Sequence, residues 1–227
     1  MFSSLLNQSE YCHETLESNY IGSSKNESHR RAREKVCLEI RNFFAILFAP
    51  LIKLPSGEVR LVDIDWILSI SHKEDVAAIA LSCDYESIGI DLEYLDNDID
   101  WTTFQGRFFT REDWFLAHQI SSRKKLSLNQ TFTLLFSAKE AVLKANHLQI
   151  DALAISFSLS PNSFNGPSNL QLCSSLDQFF IVEMKWEYHA QIDRFYVLSV
   201  CVIKKNRNFS SQSLFRDDQL FVRILDT

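Results

Sequence analysis

Two acidic side chains close a short apolar segment near the middle of the chain. Asp91 and Glu93 stand two positions apart in the run G-I-D-L-E at residues 89–93. Because side chains two apart on a β-strand point to the same face, this spacing presents two carboxylates together, opposite buried apolar neighbours. Carboxylate oxygens suit Mg²⁺, which leaves coordination places open for phosphate. The alternative is a strand that simply reaches solvent, which the acidic stretch 96–100 also favours.

A second candidate lies on a long apolar helix with the sequence F-S-A-K-E-A-V-L-K at residues 136–144. Phe136, Glu140 and Lys144 are spaced four residues apart and therefore share one helix face. A solvated Glu–Lys pair is the alternative interpretation. An aromatic residue on the same face favours a stripe that is partly covered.

A third candidate is the run S-I-S-H at residues 69–72, which ends a predicted strand. A histidine here can also be structural or merely exposed. The run is not accompanied by the G-x-S-x-G turn of serine hydrolases, nor by H-x-x-H or H-E-x-x-H. These absences argue against a hydrolase triad and against a histidine-based metal site.

Composition excludes several classes of binding site. The 227 residues include only five glycines, all far apart, so no glycine-rich phosphate loop is present. A bound nucleotide would have to be held by side chains and a metal. The net charge of −6 argues against a general nucleic-acid partner.

Localisation is predicted from the cysteines and from the absence of targeting signals. The five cysteines are widely spaced and include no C-x-x-C, which is typical of free thiols in the cytoplasm. Residues 1–10 lack the features of a secretory signal. The longest apolar run, residues 43–52, is about half of what crosses a bilayer, and we expect no membrane partner.

The predicted fold class is α+β, with two similar-sized lobes that each pack a long helix on a small, mostly antiparallel sheet. Residues 1–25 are expected to form a loosely ordered lead-in, residues 26–98 the N-terminal lobe and residues 99–227 the C-terminal lobe. The polar stretch 94–100 marks the boundary. Apolar periodicity and turn residues predict helices at 27–48, 111–119 and 128–147, strands at 66–71, 76–82, 88–92, 152–159, 179–188 and 195–203, an edge strand at 220–225, and loops at 121–125 and 159–169.

In this order, the three motifs resemble those of the 4′-phosphopantetheinyl transferases. That family carries S-[IL]-S-H, then G-[IV]-D-[IL]-E, then [FW]-[ST]-x-K-E-[AS]-x-x-K. The resemblance spans residues 28 to about 150 and includes S-G-E-x-R at 56–60 and R-F-F-T-x-E at 107–112. It is nearest to the siderophore-synthase and surfactin-type subgroup, which implies a monomer whose two lobes are pseudo-symmetric.

The resemblance implies transfer of the phosphopantetheine arm of coenzyme A to a serine of an acyl or peptidyl carrier protein, with release of adenosine 3′,5′-bisphosphate. Asp91, Glu93 and Glu140 would hold Mg²⁺ together with the pyrophosphate of coenzyme A. Glu140, or a water on the metal, would remove the serine proton. Lys144 would stabilise or protonate the leaving phosphate. The catalytic residues implied are therefore Asp91, Glu140 and Lys144.

Further residues match binding positions of the family. Ser71 and His72 would contact the phosphates of coenzyme A, with His72 at the 3′-phosphate, and Lys139 is a weaker phosphate candidate. Glu112 matches another acidic position near the site. The arginines that would bind the nucleotide end are Arg30, Arg31, Arg41 and Arg60.

Carrier proteins are acidic around the modified serine, and a basic docking surface is therefore expected. The candidate is the basic run Arg123, Lys124 and Lys125. The carrier served, whether of siderophore, fatty-acid, polyketide or nonribosomal-peptide synthesis, stays open. Two alternatives also stay open, a Mg²⁺-dependent phosphohydrolase that uses the same carboxylates and an inactive relative that only binds carrier proteins.

Overall fold

The structure is a computed structural model that describes eleven stretches of the chain. They are residues 24–44, 51–53, 59–61, 65–74, 76–104, 106–147, 151–160, 168–174, 181–190, 193–204 and 220–226. Residues 1–23 of the predicted lead-in, residues 56–58 of the S-G-E-x-R match and most of the loop at 159–169 lie outside them. Residues 24 and 25, predicted as part of the loosely ordered lead-in, instead begin the first helix.

Helices and strands alternate in blocks along the chain, as in an α+β protein. The α-helices are α1 (Ser24–Phe44), α2 (Arg111–Lys124) and α3 (Leu128–Ala145). The strands are β1 (Leu51–Lys53), β2 (Val59–Leu61), β3 (Ile67–Lys73), β4 (Val76–Ser82), β5 (Tyr85–Tyr94), β6 (Phe157–Leu159), β7 (Asn169–Ser174), β8 (Ile181–His189), β9 (Arg194–Lys204) and β10 (Phe221–Asp226). Short 3₁₀ turns cover Trp101–Phe104 and Ala152–Ala154.

In the part of the chain that the structure describes, the strands form two antiparallel sheets of five strands each. The first has the order β1-β2-β3-β4-β10 and the second the order β5-β9-β8-β7-β6. The predicted C-terminal edge strand is therefore confirmed as β10, which pairs with β4. Strand pairing crosses the predicted lobe boundary at residue 98 twice, because β5 pairs with β9 and β10 returns to the first sheet. Lobe division and pseudo-symmetry remain predictions.

Within the described residues, three clusters of buried apolar side chains join the helices to the two sheets. Helix α1 packs on the first sheet through Ala32, Val36 and Ile40, members of its predicted apolar stripe. Helices α2 and α3 pack on one face of the second sheet. The third cluster joins β4, β5, β9 and Leu220, which shows that the two sheets share a core. The site described below lies where β3, β5 and α3 meet.

The sequence T-R-E-D at residues 110–113 predicts a capping box at the start of α2, and the structure confirms it. The Thr110 hydroxyl accepts a hydrogen bond from Asp113 N (3.2 Å), and the Thr110 backbone N–H donates to Asp113 Oδ2 (2.8 Å). The helix that follows continues to Lys124, beyond the predicted end near residue 119. The predicted loop at 121–125 is therefore wrong. Buried Ile120 extends the packed face of the helix, and Lys125 ends it in a left-handed conformation with φ 56°.

Short strands account for most of the other differences. The predicted strand 152–159 is a 3₁₀ turn followed by the three-residue β6. Strands β1, β2 and β7 were not predicted. The first two are only three residues long, too short to show a periodicity, and tertiary pairing decides whether such segments become strands.

Two further observations bear on the predicted environment. Cys37, Cys83, Cys173 and Cys201, the cysteines within the described residues, form no disulfide bond. None of the helices described is both long enough and apolar enough to cross a membrane.

Candidate active site

Strand β5 supplies the two acidic residues of the site. Asp91 is only 5% exposed, and Glu93 is half-buried. Their neighbours Ile90 and Leu92 lie in the cluster between the sheets, on the opposite face of the strand. The alternation predicted from the sequence is therefore confirmed. Both carboxylates face α3, the helix that carries the third motif.

Lys144 of α3 joins the second and third motifs. Its ammonium donates to Asp91 Oδ1 (2.7 Å), to the backbone oxygen of Ile90 (3.0 Å) and to Ser71 Oγ (3.1 Å). The Asp91 side chain is 7% exposed and the Lys144 side chain 29%. Such a partly buried, charge-assisted contact is stronger than an exposed ion pair. Lys144 therefore lies at the meeting point of all three motifs.

The serines of S-I-S-H bind the free edge of β5. Ser69 Oγ accepts from Ile90 N (3.0 Å), and Ser71 Oγ accepts from Leu92 N (3.1 Å) and donates to Asp91 Oδ1 (3.2 Å). Their spacing of two places both hydroxyls on one side of β3. These bonds satisfy backbone groups that β5 does not use in pairing with β9. His72 follows Ser71 and therefore faces the opposite side of β3, with Leu68 and Ile70.

Glu93 has a basic partner that the sequence analysis missed. Lys73 Nζ lies 2.6 Å from Glu93 Oε2. Burial, followed by the negative charge of Asp91, raises the pKa of Glu93, and the contact with Lys73 opposes that rise. The signal was present in the sequence, because Lys73 stands two residues after Ser71 and must share its face of β3.

Glu140 lies close enough to Asp91 for the two carboxylates to interact electrostatically. Burial, followed by that negative charge, raises the pKa of Glu140, and the Lys144 ammonium opposes the rise. Three carboxylates and two ammonium groups therefore interact in one partly buried region. A glutamate with a raised pKa is a better proton acceptor near neutral pH than an ordinary one.

The donor set fits a hard divalent cation. Asp91 Oδ2 is buried and has no hydrogen-bond partner among the described residues, whereas Oδ1 is fully engaged. A buried carboxylate oxygen without a partner is costly, and a bound cation would satisfy it. As they stand, no three Asp, Glu, His or Cys side chains in the described stretches are grouped closely enough to hold a metal ion. The carboxylate oxygens are therefore suitable ligands for Mg²⁺, although the described side chains do not form a complete coordination site.

Gly89 allows α3 to lie directly on β5. A Cβ atom at this position would be 1.8 Å from the carbonyl oxygen of Ala141 and 2.5 Å from the backbone nitrogen of Ala145. The Ser87 hydroxyl donates to the carbonyl of Ala145, and Ser137 Oγ donates to the carbonyl of Asp91 (3.5 Å). This close contact brings Glu140 and Lys144 to the carboxylates of β5.

Comparison with known proteins identifies the family. A family model described as the 4′-phosphopantetheinyl transferase superfamily matches residues 87–201, which is half of the chain. The chain belongs to this superfamily. The matched range contains the motifs at 89–93 and 136–144, and S-I-S-H precedes it. No curated protein matches the chain.

Lys139 occupies a different environment in this superfamily member from the one that the resemblance implied. Its side chain and that of Asp113 are each 1% exposed, and Lys139 Nζ lies 2.6 Å from Asp113 Oδ2. The same ammonium donates to the carbonyls of Phe108 (2.8 Å) and Ala152 (3.1 Å). These bonds link α3 to α2, to the turn that precedes α2 at Phe108 and to the 3₁₀ turn that follows α3 at Ala152. The geometry favours a structural role over the predicted contact with a phosphate.

The predicted arginines lie in two kinds of surroundings. Arg30 and Arg31 are exposed on α1, where Arg30 pairs with Glu27 (3.0 Å) and Glu34 (2.7 Å) and Arg31 pairs with Glu27 (3.4 Å). Arg41, in the last turn of α1, is half-buried. Arg60 is exposed on β2 and stands opposite Ile67 of β3.

The predicted docking residues end a helix instead of lying in a loop. Arg123 and Lys124 form the last turn of α2, and Lys125 caps it. Lys124 Nζ donates to the carbonyl of Asn169 (2.6 Å) and lies 5.6 Å from the centre of the Trp186 ring, whereas Arg123 and Lys125 are exposed.

Glu112 is exposed in the first turn of the same helix. Hydrogen bonds from its own backbone and from Thr110 lower its pKa.

Proposed function

We propose that this protein transfers the 4′-phosphopantetheine arm of coenzyme A to a serine of an apo carrier protein and releases adenosine 3′,5′-bisphosphate. The observation that carries the proposal is the contact of Asp91 with Ser71 and Lys144, which joins all three motifs around a carboxylate with one unpartnered oxygen. The family match supports transferase activity in general.

The reaction replaces one phosphorus–oxygen bond with another. The serine oxygen of the carrier bonds to the phosphorus that bears the pantetheine arm, and the bond from that phosphorus to the bridging pyrophosphate oxygen breaks. The electron pair of that bond leaves with adenosine 3′,5′-bisphosphate. Glu140 accepts the serine proton, which its raised pKa favours near neutral pH. Lys144 lies on the same helix face and neutralises charge on the leaving phosphate.

Asp91, Glu93 and Glu140 would hold the Mg²⁺ ion of this reaction. When bound, the ion neutralises the pyrophosphate and the charge that develops on its oxygens. The residues of the chain orient both reactants. Ser71 fixes Asp91, and α3 holds Glu140 and Lys144 one helical turn apart, on the face that approaches β5.

Coenzyme A is proposed to contact Ser71, His72 and Lys144 with its phosphates, and Arg30, Arg31, Arg41 or Arg60 with its nucleotide end. Arg30 and Arg31 would exchange glutamate partners for phosphate. Exposed ion pairs contribute little to stability, and this exchange therefore has a small energetic cost. Lys139 is left out of the proposed binding set because its ammonium is buried against Asp113.

The acidic carrier protein is proposed to dock on the exposed Arg123 and Lys125 at the end of α2, with Lys124 as a third, partly engaged charge. Membership of the siderophore-synthase and surfactin-type subgroup, the monomeric state and cytoplasmic localisation remain predictions from the sequence. The position of Glu112 at the start of α2 keeps it a candidate acidic residue.

The decisive test is incubation with coenzyme A, Mg²⁺ and a panel of apo carriers, read by the mass gain of each carrier. We expect a phosphopantetheine mass gain with the wild type and more than a hundredfold loss of rate in Asp91→Asn and Glu140→Gln, on the scale of lost acid–base or charge stabilisation. Glu187→Gln is the matched control, because it removes an ion-paired carboxylate of the second sheet away from the site.

Two results would overturn the proposal. Hydrolysis of coenzyme A without any carrier would favour the phosphohydrolase. Carrier binding without any mass gain would indicate the inactive relative. Circular dichroism of each variant checks that it is folded, and this separates loss of chemistry from loss of structure.

A further inference from the structure

Lys73 is the last residue of β3 and lies on the same side of the strand as Ser69 and Ser71. Its Nζ atom is 2.6 Å from Glu93 Oε2. The Glu93 side chain is 14% exposed and the Lys73 side chain 33%. The pair is therefore less exposed to solvent than an ordinary surface ion pair. We expect it to stabilise the folded protein by more than the small amount that is usual for exposed pairs.

The backbone around Lys73 is also anchored beside Glu93. The hydroxyl of Tyr94 donates to the carbonyl of Lys73 (3.3 Å). The Arg194 guanidinium lies 4.4 Å from the centre of the Tyr94 ring and pairs with Glu74 (3.5 Å). These contacts hold the end of β3 against the end of β5 and keep the Lys73 ammonium close to Glu93.

Two of the proposed metal ligands thus each have an ammonium on one oxygen. Lys144 occupies Asp91 Oδ1 and Lys73 occupies Glu93 Oε2. An ammonium and a divalent cation are attracted to the same anionic oxygens, and their binding is therefore mutually unfavourable. Besides Asp91, Lys144 has Ser71 Oγ and the Ile90 carbonyl as partners, whereas the side chain of Lys73 has Glu93 as its described partner.

We propose that Lys73 is a positioning residue that holds Glu93 in the metal-free protein and competes with the divalent cation for that carboxylate. Lys73 thereby weakens metal binding and sets the metal concentration at which the site fills. The inference rests on the proposed function for the identity of the metal ligands. It adds a residue outside the three motifs to the control of the site.

The test measures binding of Mn²⁺ alone, without coenzyme A or carrier, from the electron paramagnetic resonance signal of the free ion. We expect Lys73→Met to bind Mn²⁺ about fivefold or more tightly than the wild type, the scale of removing one nearby charge. Lys73→Arg keeps the charge and should restore affinity close to that of the wild type. Lys185→Met is the matched control, because Lys185 pairs with Glu187 on the face of the second sheet away from α3.

An unchanged or weaker affinity in Lys73→Met, or no Mn²⁺ binding by any variant, would overturn the inference. A merely structural role predicts a lower melting temperature with no gain in affinity. If Lys73→Met does not fold, Lys73→Gln is measured in its place and the same criteria apply.

The outcome is separable from that of the transferase assay. Carrier modification without any effect of Lys73 on Mn²⁺ binding would overturn this inference alone. Tighter Mn²⁺ binding in Lys73→Met without carrier modification by the wild type would support the inference and overturn the proposed function.

Discussion

The two carboxylate oxygens of Asp91 have different surroundings. Oδ1 accepts from Ser71 and Lys144, whereas Oδ2 is buried with no partner among the described residues. An unpartnered buried oxygen destabilises a fold, and a functional requirement for a ligand explains why it is retained. The surroundings of Asp91 therefore indicate a site whose carboxylates are arranged to bind a ligand, at a cost to the stability of the folded protein.

Glu140 allows this trade-off to be tested. Because its pKa is raised in the folded protein, the folded state binds the proton more tightly than the unfolded state does. Stability contributed by this group is present below the ordinary glutamate value of about 4.3 and is lost as the pH rises toward the folded pKa. Glu140→Gln cannot ionise and therefore removes the cost of burying a charged carboxylate at neutral pH.

We therefore expect metal-free Glu140→Gln to melt at a higher temperature than the wild type at pH 7–8. The difference should shrink as the pH falls toward the ordinary glutamate value. Thermal melts across this pH range provide the measurement, and Glu187→Gln serves as the control. A lower melting temperature of Glu140→Gln at neutral pH would show that the ionised Glu140 stabilises the fold.

At the scale of the elements, the site depends on how closely α3 approaches β5. Gly89 leaves the space that the backbone of α3 fills at Ala141 and Ala145. The buried pair of Lys139 and Asp113 holds the other side of the helix against α2. The helix is thus clamped between a glycine contact and a buried ion pair.

Replacement of Gly89 by alanine should disrupt this arrangement, because backbone atoms cannot move aside as a flexible side chain can. We expect Gly89→Ala to lower the free energy of unfolding by about 3 kcal/mol or more, at the upper end for overpacking. Gly106→Ala is the control: Gly106 has φ 77°, but apart from its chain neighbours no atom of the described residues lies within 4 Å of an added Cβ, and the expected loss is about 1–2 kcal/mol. Urea unfolding compares the two, and equal losses would contradict the proposed contact.

At the scale of the whole molecule, the two sheets are joined through a shared core. Leu220, just before β10, is 7% exposed and packs with residues of β4, β5 and β9. A residue near the end of the sequence therefore stabilises the contact between the first sheet and the strand that carries Asp91.

Leu220→Ala is expected to lower the free energy of unfolding by about 2–5 kcal/mol, the usual range for a leucine in a core. Because the core is shared, the transition seen by tryptophan fluorescence and that seen by circular dichroism should shift together. Leu128→Ala is the control, since Leu128 is 36% exposed. Two separate transitions, with only one of them shifted, would instead support two independent lobes.

Local patterns in the sequence were sufficient for several features. Alternation at 89–93 predicted the paired carboxylates, and four-residue spacing predicted that Glu140 and Lys144 share a face of α3. The capping box at Thr110 predicted the start of α2. These features depend on interactions within a few residues, which repeat along a helix or a strand and are therefore readable from the chain.

The pairing of charges depends on tertiary packing. Lys139 and Lys144 belong to one motif, but five residues turn a helix by about 140°, and packing then placed one in the core beside Asp113 and the other beside Asp91. The pairing of Lys73 with Glu93 and the return of β10 to the first sheet also join segments far apart in sequence. Such contacts follow from register and packing, which local periodicity does not encode. Residue types and local spacing therefore identify the side chains that could do the chemistry, and long-range packing selects the ones that are held together.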